Sequence, residues 1–409
     1  MIDGKVGDGM EHVQVLAGQI GKRNTGSEGE RRAAEYMCAQ LQSWGFTEVG
    51  TEPFRAKGWD FESCLLQAEG VGTVDALPIE YSGSTPDEGV EGELVVCESP
   101  GDVGMVEVRN KILLVNEGIP AAEAMLEGGA AGLIVASSTR SRAWHLIYGP
   151  DQPLAGKLPM MTIGFGDAVE LLKRGVTKLR LKVKTTIGEV TGLNVVGTLP
   201  GQNARRLNVS GHYDSVVSGP AAADNATGAA CALEVAHALS QQPLDSALDV
   251  VIFSAEEIGL YGAEAYVQER REPLKQTELG IYFDGQGDFL GRNNIHVLGQ
   301  EGLSEMVRQI SRTIGYQVDV RHHFTGLDQV FLSAHGVPTL WFQRGPQLTW
   351  HTPADVVEDV NPEAMRRSIG AAVEILRQVD TQPGCFPGGI PEDQARRIEE
   401  YLSNGTPVW

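Results

Sequence analysis

The stretch LDVVIFSAEEIGLYG, residues 248–262, joins an apolar run to two adjacent glutamates, Glu256 and Glu257. The run LDVVIF has the length and the β-branched content of a buried strand. Neighbouring side chains of an extended segment point in opposite directions, so the two glutamates are expected to face different surroundings. Two like charges side by side at a strand end need a compensating partner, and this pair is the first indication of a functional site.

The same succession of strand, loop and helix recurs on both sides of this stretch. Strands are predicted in RLNVSGH, LGIYFD and PTLWFQ, and helices in GAACALEVAHALSQ, YGAEAYVQER, GLSEMVRQISRTIG and NPEAMRRSIGAAVEILRQV. Buried strands that alternate with amphipathic helices favour an α/β fold, with a doubly wound, mostly parallel (mixed) sheet flanked by helices. Near the start of the chain, Ser27 and Gly45 mark the two ends of a further helix, and a short strand is predicted over residues 46–54.

Residues 58–188 have a different pattern. Short β-like runs, among them GELVVCE, NKILLVNEG and LRLKVKT, alternate with turn residues, and AAEAMLEGGAAGLIVAS is predicted to be one helix. We interpret this region as a β-rich domain inserted into an α/β domain made of residues 1–57 and 189–409. The last part of that domain, residues 381–409, is predicted to be a Pro/Gly linker followed by one short helix.

Composition limits the classes of function. The chain has 33 Lys and Arg against 54 Asp and Glu, and its formal charge of −21 would repel nucleic acid. No stretch approaches the roughly 18 apolar residues of a membrane helix, so neither nucleic acid nor a membrane is an expected partner. The five cysteines are scattered without a CxxC pair, which favours a reducing compartment. Because no signal peptide is visible, we expect a cytoplasmic protein, or a secreted one if the chain has been trimmed; the oligomeric state is left open.

Candidate metal ligands collect where the predicted strands end. The carboxyl ends of parallel strands form one edge of a sheet, and α/β proteins bind their ligands at that edge. A Gly/Pro/Ala loop, GPAAADNATG, and the turn segment WHTPAD add further candidates. The candidates are His212, Asp214, Asp224, Glu256, Glu257, Asp284 and His351.

This set is too large for a single zinc ion. A tetrahedral catalytic zinc has three protein ligands and an open position, whereas two histidines with three or four carboxylates suit two ions about 3.5–4 Å apart that share a carboxylate. Such a pair acidifies a water and polarises a carbonyl at once. Taken singly, Asp224 also fits a helix N-cap and Asp284 a turn residue, but their common position at strand ends favours metal binding.

The motifs HYDS, ADNATG, SAEEIGLYG, YFD and HTPAD, in this order, resemble those of the zinc-dependent exopeptidases of the M28 family, which includes aminopeptidases and glutamate carboxypeptidases. The resemblance covers about residues 190–380, and RNTGSEGERRAAEYM is similar to the N-terminal helix of the family. The inserted region resembles the protease-associated domain of some members. The resemblance implies a peptide substrate and two Zn²⁺ ions, with Co²⁺ or Mn²⁺ as possible substitutes.

The resemblance also implies individual ligands. His212 and His351 would bind one zinc, Glu257 and Asp284 would bind the other, and Asp224 would bridge the two ions.

Other roles follow from the same resemblance. Asp214 would accept a hydrogen bond from the imidazole N–H of His212 and orient the ring. Glu256 would be the general base that takes a proton from the attacking water and passes it to the leaving amine. The peptide bond between Asp224 and Asn225 is expected to be cis.

Two positions depart from the family pattern. Some relatives carry a Tyr just before the last histidine, whereas Trp350 stands here, so Trp350 is expected in the substrate pocket and the group that stabilises the oxyanion is left open. The segment TGLDQVFLSAHGVP resembles the Ser-Asp-His segment of the family only in part, and Asp328 is given a supporting role at most.

The leading functional hypothesis is a metallo-aminopeptidase that hydrolyses N-terminal residues from peptides. The alternative is a carboxypeptidase, for which Arg344 is the candidate that binds the substrate carboxylate, or an M20-type deacylase with a related di-zinc site. A third hypothesis is a non-enzymatic scaffold that has lost its metal site, but every expected ligand is present in this chain.

Overall fold

The computed structural model describes residues 6–98, 100–119, 121–324 and 326–403, so the predictions for residues 1–5 and 404–409 lie outside the described part. Contacts within the chain divide it into two compact units. The first contains Met1–Ala56, Val190–Trp350 and Ala354–Pro407, and the second is built mainly from Lys57–Glu189. Within the described ranges, no helix is both long enough and apolar enough to cross a membrane.

The regular elements of both units are numbered along the chain. The strands are β1 (Thr47–Ala68), β2 (Gly72–Val74), β3 (Ala76–Pro78), β4 (Val90–Cys97), β5 (Lys111–Asn116), β6 (Gly132–Ala136), β7 (Met160–Ile163), β8 (Lys178–Leu199), β9 (Arg206–His212), β10 (Ala247–Phe253), β11 (Thr277–Phe283), β12 (Arg292–Leu298), β13 (Asp319–Arg321) and β14 (Thr339–Gly345). The helices are α1 (Met10–Val13), α2 (Glu28–Ser43), α3 (Ala122–Gly128), α4 (Phe165–Lys173), α5 (Thr227–Ser240), α6 (Tyr261–Glu269), α7 (Arg271–Leu274), α8 (Glu301–Ile314), α9 (Gln329–Ala334), α10 (Pro362–Thr381) and α11 (Glu392–Ser403). A π-helical segment covers Gln14–Ile20, and the turn Ala222–Ala226 contains two residues with non-helical backbone angles, Asp224 and Asn225.

A mixed sheet organises the first unit. Its strand order is β13-β12-β14-β11-β9-β10-β8. The central strands β14, β11, β9 and β10 run parallel to one another, whereas β12 and the second half of β8 pair antiparallel at the two sides. The predicted doubly wound, mostly parallel sheet is confirmed.

Helices cover both faces of this sheet, as alternate residues of β10 show. Val250 and Ile252 belong to a core cluster that includes residues of α2, α5, α8 and α10. Val251 and Phe253 belong to a second cluster with residues of α6 and α9. Because side chains on both faces of the strand are used for packing, the chemistry of this unit is left to the ends of the strands.

The second unit has a sheet of its own. Strands β4, β5, β6 and β7 run parallel, with β3 antiparallel to β7 and the first half of β8 antiparallel to β4. Apolar clusters include Met125 of α3 and Leu171 of α4. The region is therefore an α/β unit in which helices accompany the strands, and its assignment as a protease-associated domain stays a prediction.

Two predicted secondary-structure elements differ from those in the structure. The segment AAEAMLEGGAAGLIVAS is not one helix, because α3 ends at Gly128, Gly129 adopts a φ of 75°, and Gly132–Ala136 forms the buried strand β6. A left-handed glycine ends a helix without the strain that a side chain would cause. The short strand predicted over residues 46–54 is part of β1, which has 22 residues.

A buried histidine lies against α2 and α5. Nδ1 of His12 is 2.6 Å from the hydroxyl of Tyr36, and Nε2 is 3.5 Å from a carboxylate oxygen of Glu234. The ring packs edge-on against Trp44, which stacks in turn on His237. Burial, with a smaller contribution from the charge of His237, lowers the pKa of His12 from 6.5 to about 4.

We predict that His12→Gln makes the stability of the protein less dependent on pH between 4 and 6.5. The unfolded chain binds a proton on His12 at higher pH than the folded chain does, so the wild-type free energy of unfolding falls as the pH falls through this window, by about 3 kcal/mol at most. Thermal unfolding at pH 7 and pH 5 measures the effect. His335→Gln, which removes an exposed imidazole outside this cluster, is the control, and an equal loss in wild type and His12→Gln would contradict the prediction.

Candidate metal centre

Neighbouring strands deliver the candidate ligands to one edge of the first unit. His212 is the last residue of β9, Asp284 follows β11, and Glu257 lies in the loop after β10. The three strands are adjacent, because β9 pairs with both β10 and β11. Side chains that follow these strands therefore start from neighbouring positions.

Two groups of side chains place ligand atoms within 4.8 Å of one another: His212 with Asp224 and Asp284, and Asp224 with Glu257 and His351. Asp224 belongs to both groups. In the first group, Nε2 of His212 lies 3.4 Å from Oδ1 of Asp224 and 3.7 Å from Oδ1 of Asp284. Ligand atoms at about 2.0–2.2 Å from a tetrahedral zinc are roughly 3.3–3.6 Å apart, so the donor atoms and their spacing suit this ion.

The grouping differs from the one that the family resemblance implied. There, His212 shared an ion with His351, whereas in the structure His212 lies with Asp284 and His351 with Glu257. The register of the sheet gives the reason. Gly211 of β9 pairs with Phe283 of β11, so the residues that follow, His212 and Asp284, reach the same point.

Negative charge is concentrated at the candidate metal centre, which is buried. Burial raises the pKa of Glu256 well above its usual range; His212 opposes the shift, and Glu257, Asp328 and Asp284 add to it. Carboxylates this close to one another cannot all ionise at neutral pH without cations to offset their repulsion. The charge of the site therefore fits bound metal ions as well as its spacing does.

The paired glutamates do not lie in extended backbone. Strand β10 ends at Phe253, Ala255 adopts a φ of 62°, and the carbonyl of Glu256 accepts hydrogen bonds from the N–H groups of Gly259 and Leu260 at 3.1 and 3.2 Å. The prediction that the two glutamates continue a strand was therefore wrong, because they lie in a turn. Glu257 is 2% exposed.

Asp214 connects a candidate ligand to the backbone of both glutamates. Its Oδ1 lies 3.3 Å from Nδ1 of His212 and accepts a hydrogen bond from the N–H of Glu256 at 3.2 Å. Its Oδ2 accepts from the N–H of Glu257, also at 3.2 Å. One buried carboxylate thus lies against the imidazole and holds the turn that carries the two glutamates, and its role in orienting the ring stays a prediction.

Asp355 holds Asp224, although the sequence reasoning gave it no role. Its Oδ1 accepts a hydrogen bond from the N–H of Ala223 at 2.7 Å, and its Oδ2 accepts from the N–H of Asp224 at 3.0 Å. The residue is the last letter of the motif HTPAD, so the signal was present in the sequence, but its partners lie more than a hundred residues earlier.

Asn225 is a second residue whose role the sequence reasoning missed. Its Oδ1 accepts from the N–H groups of Gly228 and Gly285 at 2.8 and 3.2 Å, and its Nδ2 donates to the carbonyl of Phe283 at 3.0 Å. The side chain thus ties the loop of Asp224 to the end of β11. The peptide bond between Asp224 and Asn225 is cis.

Two further residues had predicted roles beside the ligands, Asp328 as a supporting residue and Trp350 in the substrate pocket. Asp328 is fully buried, and its Oδ2 accepts a hydrogen bond from the hydroxyl of Tyr282 at 3.0 Å. This contact agrees with a supporting role. Trp350 is half-buried and precedes His351, and its place in a substrate pocket stays a prediction.

We predict that Asp214→Asn weakens zinc binding by about 10- to 100-fold, the range found when a partner of a metal-binding histidine is lost. The amide keeps the shape of the carboxylate but brings a donor to a position that faces N–H groups. Competition with a chromophoric zinc chelator measures the affinity. The exposed Asp245→Asn is the matched control, and an unchanged affinity in Asp214→Asn would contradict the role assigned to this residue.

Known proteins resemble the chain in sequence. Residues 194–376 match the family described as Peptidase family M28. The chain is 30% identical over 278 residues to the Probable lipoprotein aminopeptidase LpqL of Mycobacterium tuberculosis, a match that covers 64% of this chain and 55% of that protein. This chain therefore spans about half the length of that relative. It is also 26% identical over 365 residues to Carboxypeptidase Q of Homo sapiens, covering 80% of this chain and 75% of that protein.

A solved structure resembles the chain in fold. The structure of BSAP, a zinc aminopeptidase from Bacillus subtilis, superposes with a TM-score of 0.76 at 22% identity, over 94% of this chain and 97% of that chain. At this level of identity the likeness concerns the fold alone, and it agrees with the mixed sheet and its flanking helices.

Proposed function

Because residues 194–376 belong to peptidase family M28, we propose that this chain is a zinc aminopeptidase that removes N-terminal residues from peptides. The observation that supports the proposal most directly is the pair of ligand groups that share Asp224. Two ions joined by a shared carboxylate are a recurring arrangement in aminopeptidases, and imidazole and carboxylate are ligands that zinc accepts. Cobalt and manganese are expected to substitute for zinc.

The chemistry is divided between the ions and the side chains. Bound ions would acidify a water and polarise the scissile carbonyl. Glu256 belongs to neither ligand group found among the described residues, and its Oε2 lies 3.9 Å from Nε2 of His212, at the border of the first group. We assign to Glu256 the removal of a proton from the attacking water and its delivery to the leaving amine.

The charge of the chain favours a substrate with a free amino group. The N-terminal amine of a peptide is largely cationic at neutral pH, and the formal charge of −21 attracts cations to the protein. The candidate site itself contributes several carboxylates. A peptide with a blocked N-terminus loses this attraction.

The alternative is a carboxypeptidase, the activity that the name Carboxypeptidase Q gives to one relative. Such an enzyme needs a cation for the substrate carboxylate, and Arg344 was the candidate. In the structure its Nε donates to the carbonyl of Asp288 at 2.6 Å, its Nη1 to Oδ1 of Asn293 at 2.8 Å and its Nη2 to the carbonyl of Phe289 at 3.3 Å. This guanidinium is engaged in holding a loop, which favours the aminopeptidase. The M20-type deacylase is the other alternative.

We predict that Glu256→Gln lowers kcat by about 10²- to 10⁴-fold while the protein retains zinc, because a general base contributes a factor of this size. Glu257→Gln should instead lose zinc, because this substitution removes a proposed ligand. Elemental analysis after gel filtration gives the metal content, and hydrolysis of an aminoacyl-p-nitroanilide gives kcat. Loss of zinc from Glu256→Gln would exchange the two roles.

We predict that a panel of aminoacyl-p-nitroanilides is hydrolysed, that the matched N-acetylated compounds are not, and that a chelator removes the activity until zinc is returned. Peptides with a C-terminal glutamate serve as the comparison for the alternative. Release of the C-terminal residue, with the N-terminal residue left in place, would reject the aminopeptidase in favour of the carboxypeptidase. Release of acetate from the acetylated compounds, with their p-nitroanilide bond left intact, would favour the deacylase.

A further inference from the structure

One arginine of the first unit is wholly buried and donates to the main chain on several sides. Arg23 is 0% exposed. Its guanidinium donates to the carbonyls of Tyr213 (Nε, 2.8 Å), Ala221 (Nη2, 3.0 Å), Pro220 (Nη1, 2.8 Å), Leu16 (Nη1, 3.1 Å) and Gly21 (Nη1, 2.6 Å). Its main-chain N–H donates to Oγ of Ser215 at 2.8 Å.

These acceptors lie at the two ends of the segment that joins two proposed ligands. Tyr213 follows His212, and Pro220 and Ala221 lead into the turn that carries Asp224. We call residues 213–223 the ligand loop. Leu16 and Gly21 lie in the N-terminal segment, so Arg23 ties both ends of the ligand loop to a part of the chain that supplies no proposed ligand.

The charge of Arg23 also matches its surroundings. Burial lowers its pKa to about 10, and the charges of Asp355, Asp214, Asp224 and Glu257 oppose that shift, so the guanidinium remains charged at neutral pH. A permanent cation therefore attracts the carboxylates of the site, independently of any metal ion.

We propose that Arg23 is a positioning residue that preforms the ligand loop, so that His212 and Asp224 are held at ligand spacing before an ion is bound. This inference rests on the proposed metal site. Buried carbonyls without a donor are destabilising, and the planar guanidinium, with five N–H donors, serves several of them from one point. The three donors of a lysine on a single nitrogen cannot reproduce this arrangement.

The proposal differs from a purely structural role in what it affects. A side chain that only stabilises the fold changes the temperature of unfolding and leaves the zinc affinity of the folded protein unchanged. A side chain that preforms the loop changes the zinc affinity and the protection of the loop in the metal-free protein. The main-chain N–H groups of Ala222, Ala223 and Asp224, which hydrogen-bond to Asp355, report on that protection.

The test compares Arg23→Lys with Arg205→Lys. Arg205 precedes β9 at the end opposite His212, and it too donates to main-chain carbonyls, those of Val379 and Asp380 at 3.3 and 2.8 Å. We expect Arg23→Lys to bind zinc about 10- to 100-fold more weakly in a chelator competition and to exchange the amide hydrogens of the ligand loop faster when metal-free. Arg205→Lys should do neither. A lowered temperature of unfolding in both variants, with unchanged zinc affinity and exchange in Arg23→Lys, would overturn the proposal.

A measurement on the wild-type protein covers the case in which Arg23→Lys does not fold. Hydrogen exchange of the metal-free protein should show the amides of Ala222, Ala223 and Asp224 protected, and their rapid exchange would overturn the preformed loop. Zinc binding by the wild type is measured in parallel. If the wild type binds no zinc, the proposed function fails, whereas the exchange experiment still decides whether the ligand loop is preformed without metal.

Discussion

The first unit depends on one electrostatic constraint, the repulsion between buried carboxylates. Its parallel strands bring several carboxylates to the same edge of the sheet, where burial and mutual repulsion oppose their ionisation. Such an edge is stable only if cations and N–H donors face the carboxylates. The turn after β10, the loop of Asp224 and the path of the N-terminal segment are all arranged to supply those donors or to hold the groups that need them.

Three carboxylates outside the ligand groups, those of Asp214, Asp355 and Glu30, meet this constraint in the same way, because they accept hydrogen bonds from main-chain N–H groups. Asp214 and Asp355 do so beside the site. Glu30 of α2 does so as well. Its Oε2 accepts a hydrogen bond from the N–H of Gly26 at 2.7 Å, and its Oε1 accepts one from the N–H of Leu193 at 3.1 Å. Burial still raises the pKa of Glu30 to about 7, and its hydrogen bonds act against that shift. Each of these three buried carboxylates therefore holds main-chain segments in place through its hydrogen bonds.

Features encoded by neighbouring residues could be predicted from the sequence. The strands of the sheet follow from runs such as LDVVIF, and Ser27 caps α2 as expected, accepting from the N–H of Glu30 at 3.1 Å. Features that depend on distant partners could not. The bond from Asp224 to Asp355 joins residues 131 positions apart, and the grouping of His212 with Asp284 depends on the register of β9 and β11. No local pattern contains that information.

The packing of β10 separates the residues that form the core from the residues that form the candidate site. Val250 and Val251 belong to opposite cores, and the proposed ligands and the acids that support them lie at the strand ends or in the loops beyond them. Substitutions that improve stability and substitutions that alter which molecules are recognised therefore fall on different parts of the chain. Loops can therefore change while the sheet that carries them stays recognisable, and the fold is shared with the Bacillus structure at 22% identity.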